Sequence, residues 1–296
     1  MPGLSFHQNH HTQGLFIFLI KSAFQEARHK QSSVFRLFKY LILTTVGYFA
    51  STKSRIFVLC YWWFRIADDV IDGDTPLPEG HTQQSYMLSK TQFIDGLPNR
   101  TNIFLQEDRF LIFALEKAES LGIQFIGEIQ RLWGAMLWET SLRESSCFAT
   151  RRELDHYGRT IDESVMGVYA KLFILNIESF PRSKKYFGIF QRLDWLADCE
   201  TDVSKGIITL SKDAASTHGI SFADVEATAG DVLSQPFLRA AYLEDFKYVK
   251  QGWESLRKAL KEDLRETKRI IPPMFFKYFV ISRCDRQARR LSNTLY

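Results

Sequence analysis

Apolar residues in this chain recur at spacings of three and four, and no alternating apolar–polar run of strand length stands out; that pattern commits the chain to helices. Ile126, Ile129, Trp133, Met136 and Leu137 show it most plainly, since positions so spaced share one helix face. Comparable stretches predict helices over about 13–29, 32–50, 53–72, 106–121, 150–180, 183–204, 236–265 and 273–293. Pro272 and Pro273 punctuate the chain and open the last of these, because proline is tolerated in a helix's first turn. The best strand candidate, Ile207 to Leu210, is too short to seed a sheet. Gly73 to Thr82, with Asp74, Pro76, Pro78 and Gly80, reads as a loop, and so does Lys205 to Thr217, with room for a short turn. No repeat or linker separates domains. The expectation is an all-α protein, with residues 1–30 as an N-terminal extension and first helix and 31–296 as one helical domain.

Charge and composition narrow the partners. A net charge of +4 is too mild for a nucleic-acid binder, and no Lys/Arg run is interleaved with aromatics. A small basic surplus suits anionic lipid headgroups or a small anionic substrate equally well. The four cysteines, Cys60, Cys147, Cys199 and Cys284, are scattered without a CxxC pair, as reduced, buried thiols of a cytoplasmic protein would be. Leu15 to Ile20 is the one apolar run near the start, far short of the roughly 20 residues that span a bilayer. Membrane contact, if any, is therefore expected to be peripheral. His7, His10 and His11 have no carboxylate or cysteine beside them and read as a solvated terminus. The 25 phenylalanines serve either core packing or an aromatic-lined cavity for a long hydrocarbon.

Chemistry enters with two acidic stripes. In Tyr61-Trp62-Trp63-Phe64-Arg65-Ile66-Ala67-Asp68-Asp69-Val70-Ile71-Asp72, Asp68 and Asp72 share a helix face and Asp69 lies beside them. Three carboxylates near a helix C-terminus repel one another and oppose the dipole, so a counter-charge is expected: Mg²⁺ or Arg65. A solvated helix end explains the same residues without chemistry. In Gln191 to Asp202, Asp194, Asp198 and Asp202 form a second stripe at four-residue spacing, again on an otherwise apolar helix that runs into a loop. Two such helices facing one another could hold several Mg²⁺ ions against a diphosphate, with Arg65 and Lys205 clamping phosphate oxygens and a dry pocket sheltering a carbocation. Trp62, Trp63 and Trp195 flank the aspartates and are expected in the core, although one ring could face a cation.

The segment FRIADDVID resembles the first aspartate-rich motif of the squalene/phytoene synthase family, with Tyr61 and Arg65 at the family's preceding Tyr and Arg. QRLDWLADCETDVSKG is similar to its second motif: Gln191, Asp198, Asp202 and Gly206 match, and Asp194 stands where Asn is usual. Tyr157 to Gly167 resembles the intervening family helix loosely, and Arg286 falls where the last helix carries a basic residue. The likeness spans about 35–293 of the chain.

That resemblance implies the isoprenoid-synthase fold and head-to-head condensation of two prenyl diphosphates with release of diphosphate. It implies Asp68, Asp72, Asp198, Asp202 and Tyr61 as catalytic residues, and Mg²⁺ on Asp68, Asp69, Asp72, Asp194, Asp198 and Asp202. Arg65, Gln191, Lys205 and Arg286 would hold diphosphate. Squalene synthases also use a nicotinamide reductant; NADPH is compatible with this sequence without being indicated by it. Three departures stand out: Lys39-Tyr40-Leu41-Ile42 replaces the early S-x-S-F, Asp162 and Glu163 stand in the family's V-A-G, and Ile207-Ile208-Thr209 replaces R-x-Y. The competing readings are a class I terpene cyclase acting on one diphosphate and a non-catalytic relative serving as an assembly factor. The first lacks its N-D-x-x-S-x-x-x-E pattern here, and the second would be signalled by lost carboxylates, which are retained.

Overall fold

A computed structural model describes residues 20, 44–45, 47–98, 105, 107–173, 181–266 and 281–296. The expected helix at 13–29, most of that at 32–50, Leu15 to Phe18, the three N-terminal histidines, Lys39 to Ile42, and Pro272 with Pro273 lie outside them. So does nearly all of the expected 1–30 segment. Among the described residues there is no strand, and Ile207 to Leu210 is a buried irregular segment. The chain is all-α. It divides into two compact units, one of 1–130 with 171–174 and one of 131–170 with 175–296.

In the first unit, α1 (Thr52–Ile71), α2 (Gln83–Gly96) and α3 (Asp108–Glu119) surround a buried ion cluster. Ser51 caps α1, its hydroxyl accepting the Ser54 N–H at 3.1 Å. Ile56, Leu59, Cys60, Trp63, Ala67 and Val70 are the buried stripe of α1, and α3 packs on that helix. The sequence pattern gives no helix at 83–96, because the stripe of α2 is interrupted by a charge: Tyr86, Lys90, Phe93 and Ile94 are its buried residues. Lys90 is fully buried because Glu107, 2.8 Å away, and Asp108 neutralise it. Asp108 also accepts the Trp63 indole N–H at 3.0 Å, which ties α1 to α3 through the same carboxylate. A capping box between Thr82 and Ser85 starts α2 as the 73–82 loop ends.

The remaining helices are α4 (Ile126–Glu144), α5 (Arg151–Phe173), α6 (Ile189–Val203), the short α7 (Lys212–Thr217) and α8 (Phe222–Glu226), α9 (Pro236–Glu266) and α10 (Ser282–Leu295). In the second unit α9 and α10 both pack against α6, which carries the second acidic stripe. The helix expected from 183 begins at 189, behind a 3-10 turn at Lys184–Tyr186. The delay has a steric cause. Gly188 has φ +102°, and a Cβ there would sit 2.8 Å from the Arg159 nitrogen; a Cβ on Gly158 would sit 2.8 Å from the Gly188 carbonyl oxygen. Backbone rests on backbone at this crossing, which only glycine on both sides permits.

The loop after α6 is held as firmly. Buried Asp245 on α9 accepts the Ser211 N–H and hydroxyl, both at 2.7 Å, and Arg151 at 3.0 Å. Arg192, fully buried in α6, lies 3.6 Å from the same carboxylate and 3.5 Å from Asp155. Burial lowers the Arg192 pKa, with these two acids opposing the shift. Cys60, Cys199 and Cys284 are buried free thiols as expected; Cys147 is free but exposed, at the polar end of α4.

Candidate active site

Each acidic stripe sits at the C-terminal end of a helix, as its spacing predicts. On α1, Asp68 is half-buried, Asp69 is buried and Asp72 is the C-cap. Of the two expected counter-charges, Arg65 is in place, 2.9 Å from Asp68 and 2.5 Å from Asp69. Both partners lie one turn further along the same helix, so the guanidinium offsets the repulsion that the dipole would otherwise sharpen. Tyr61 is exposed and meets Trp62 edge-on, with centroids 5.5 Å apart. Trp62 and Trp63 are core residues.

On α6 the three aspartates differ. Asp194 is engaged by α10: Arg283 donates to one carboxylate oxygen at 2.9 Å and the Gln287 amide donates to the other. Burial pushes its pKa up, against the pull of Arg283. Asp198 is exposed and Asp202 half-buried, one turn apart on the same face. Gln191 is half-buried; Lys205 and Arg286 are exposed. The helix ends at Val203, and Gly206, with φ +78°, turns the chain while the Ile207 N–H reaches back to the Asp202 carbonyl at 2.8 Å.

Directly beyond Gly206 opens a narrow cavity walled by Trp138, Tyr157, Trp195, Ile207 and Phe222. Tyr157 stacks on Trp195 at 4.9 Å with 16° between planes and meets Trp138 at the same distance. The Tyr157 hydroxyl donates to Glu139, which Arg143 holds at 2.9 Å. The wall is thus aromatic, while its charges are already neutralised.

Asp162 and Glu163, the departures on α5, have different surroundings. Asp162 is buried, and its carboxylate accepts the Gly188 N–H at 2.5 Å and the Phe190 N–H. It therefore caps the first turn of α6, supplying the acceptor that Gly188 lacks. Burial, with Asp194 and Glu163 adding to it, pushes the Asp162 pKa up to about 7. Glu163 is half-buried.

Among the described residues no three His, Cys, Asp or Glu converge as a ready-made metal cage. The donors still suit Mg²⁺ in kind: paired, accessible carboxylates one turn apart match an ion that keeps waters and takes phosphate oxygens. Sequence reasoning missed Arg283 and Gln287. Their spacing of four on one helix face was a signal, but nothing in the sequence says which stripe they would meet.

The fold is all-α and like that of a squalene synthase of known structure. The crystal structure of squalene synthase HpnC from Alicyclobacillus acidocaldarius superimposes with a TM-score of 0.56 over 86% of this chain and 86% of that one, at 13% identity. No family model and no curated protein matches the chain. At that identity the likeness carries the fold, and the chemistry must be argued from the residues.

Proposed function

We propose that this protein is a Mg²⁺-dependent transferase acting on allylic prenyl diphosphates, joining two of them head to head with release of diphosphate. The observation that carries the reading is the α6 C-terminus, where Asp198 and Asp202 stand one turn apart on one face and the chain then turns at Gly206 beside the aromatic cluster of Trp138, Tyr157 and Trp195. A charged diphosphate and an apolar chain need those two environments side by side. Asp198 and Asp202 would hold Mg²⁺ there, and Asp68 with Asp72 would do so on α1. Bound Mg²⁺ supplies neutralisation of the departing diphosphate.

The protein's own contributions are positioning and shelter. Gly206 and the Ser211–Asp245 bonds fix the cavity rim, so that the aromatic wall is in place before substrate arrives. Trp138, Tyr157 and Trp195 form a stacked aromatic wall that would shelter a developing positive charge without supplying a nucleophile. Exposed Lys205, three residues past Asp202, can pair with phosphate oxygens.

Incubation with C10, C15 and C20 prenyl diphosphates and Mg²⁺, followed by mass spectrometry and a pyrophosphate assay, tests this. Release of pyrophosphate with a hydrocarbon of twice the substrate's carbon number is expected. A monomeric cyclic product would move the protein to the terpene cyclases, and absence of any release would end the enzymatic reading.

A further inference from the structure

The three aspartates of the second stripe look alike in sequence, yet they meet different partners. Both oxygens of Asp194 are occupied by side chains of α10, Arg283 at 2.9 Å and Gln287 on the other oxygen. Arg283 and Gln287 stand four apart and so share the face of α10 that meets α6. On its other side α10 is tied to α9, where Asp285 accepts the Trp253 indole N–H at 3.1 Å and pairs with Arg257 at 3.1 Å. Cys284, Leu291 and Leu295 are the buried apolar residues of α10. A divalent cation arriving at Asp194 would find both carboxylate oxygens already accepting from side chains of α10, and would have to displace one of those donors. Asp198, one turn on, is exposed.

We infer that Asp194 is a positioning residue that fastens the last helix to α6, and that it is not one of the Mg²⁺ ligands of the second stripe. The second half of this inference rests on the diphosphate reading above. It also explains a departure: an Asn at 194 could keep the Gln287 hydrogen bond, but only a carboxylate answers the charge of Arg283.

Two measurements on the full chain separate the roles. The first is amide hydrogen exchange over 282–295 without metal. Asp194→Ala should speed it at least about tenfold, and so should the double variant Arg283→Ala/Gln287→Ala, which leaves the stripe untouched. Asp194→Asn should fall between these and the unaltered protein. The second is the rise in Tm on adding Mg²⁺ with inorganic pyrophosphate. It should persist in the Asp194 variants and disappear in Asp198→Asn. Unchanged exchange in the α10 double variant would overturn the fastening. Loss of the Mg²⁺–pyrophosphate response in Asp194→Asn, to the degree seen in Asp198→Asn, would make Asp194 a ligand and overturn the division of roles. No response in the unaltered protein would remove the diphosphate reading itself, and the metal-free exchange experiment would still decide the fastening.

Discussion

Asp202 is where the functional reading is most exposed to a single substitution. If the proposed function holds, Asp202→Asn deletes one Mg²⁺-holding charge whose benefit would appear chiefly as the leaving group departs, so kcat should fall by at least about a hundredfold, roughly 2.7 kcal/mol of barrier. The helical fold should be unchanged by circular dichroism. A solvated helix-end carboxylate without that role contributes less than about 1 kcal/mol, and near-normal turnover would support it instead. Asp162 offers a test that needs no substrate. Its folded pKa, about 7, lies above the ordinary 3.8, so the folded state holds this proton more tightly than the unfolded state does. The stabilisation is complete below about pH 4 and is lost as pH rises through about 7. Asp162→Asn keeps an acceptor for the α6 N–H groups and removes the titration. Urea unfolding at pH 5 and pH 8 should therefore show the unaltered protein losing about 2–4 kcal/mol relative to the variant. Parallel losses in both proteins would show that Asp162 does not titrate in that range.

Among the elements, the α5–α6 crossing and the α2–α3 ion cluster carry the sharpest expectations. Gly158→Ala places a methyl group 2.8 Å from a backbone oxygen that has nowhere to move, and should cost about 1–3 kcal/mol of stability in urea. An unchanged midpoint would mean the helices can separate freely. Lys90→Met leaves Glu107 and Asp108 buried without their cation, at a cost of about 3–5 kcal/mol. Adding Glu107→Gln and Asp108→Asn should recover much of that loss; if the triple variant is as unstable as the single one, packing rather than charge sets the penalty. These two places also mark what the sequence could and could not disclose. Helices with an uninterrupted apolar stripe, such as α1, α4 and α9, are visible in their spacing alone. Helix α2 is not, because its stripe depends on a lysine whose burial is licensed by two acids about 18 residues further on. The late start of α6 is hidden for a similar reason: the glycine that forces it answers a second glycine 30 residues earlier in the chain.

At the scale of the whole molecule, the fold class was legible and the site only in part. Both acidic stripes stand on helix ends as their spacing requires, and the flanking tryptophans are buried. Arg65 answering Asp68 and Asp69 was one of the two counter-charges the sequence offered; what remained hidden was that Asp194 belongs to α10. Such pairings come from tertiary packing, which periodicity does not encode. The net charge of +4, with no described helix long and apolar enough to cross a membrane, bears on where a hydrocarbon product would go. Sedimentation with anionic vesicles at low ionic strength, reversed by about 0.5 M salt, is expected. Binding that survives salt and carbonate would contradict a purely electrostatic contact.

The Asp194–Arg283 pair has a consequence for synthesis as well. Its members are 89 residues apart. On a ribosome adding roughly 5–20 residues per second, α6 emerges several seconds before the helix that covers one of its faces exists. The Arg151–Asp245 pair closes an overlapping span of 94 residues in the same unit. The second unit thus cannot complete its packing as it is made, and closes only when its final helix arrives. Until then the face of α6 that carries Asp194 waits without its cover, which makes this stretch the natural client of a chaperone while the chain is still growing.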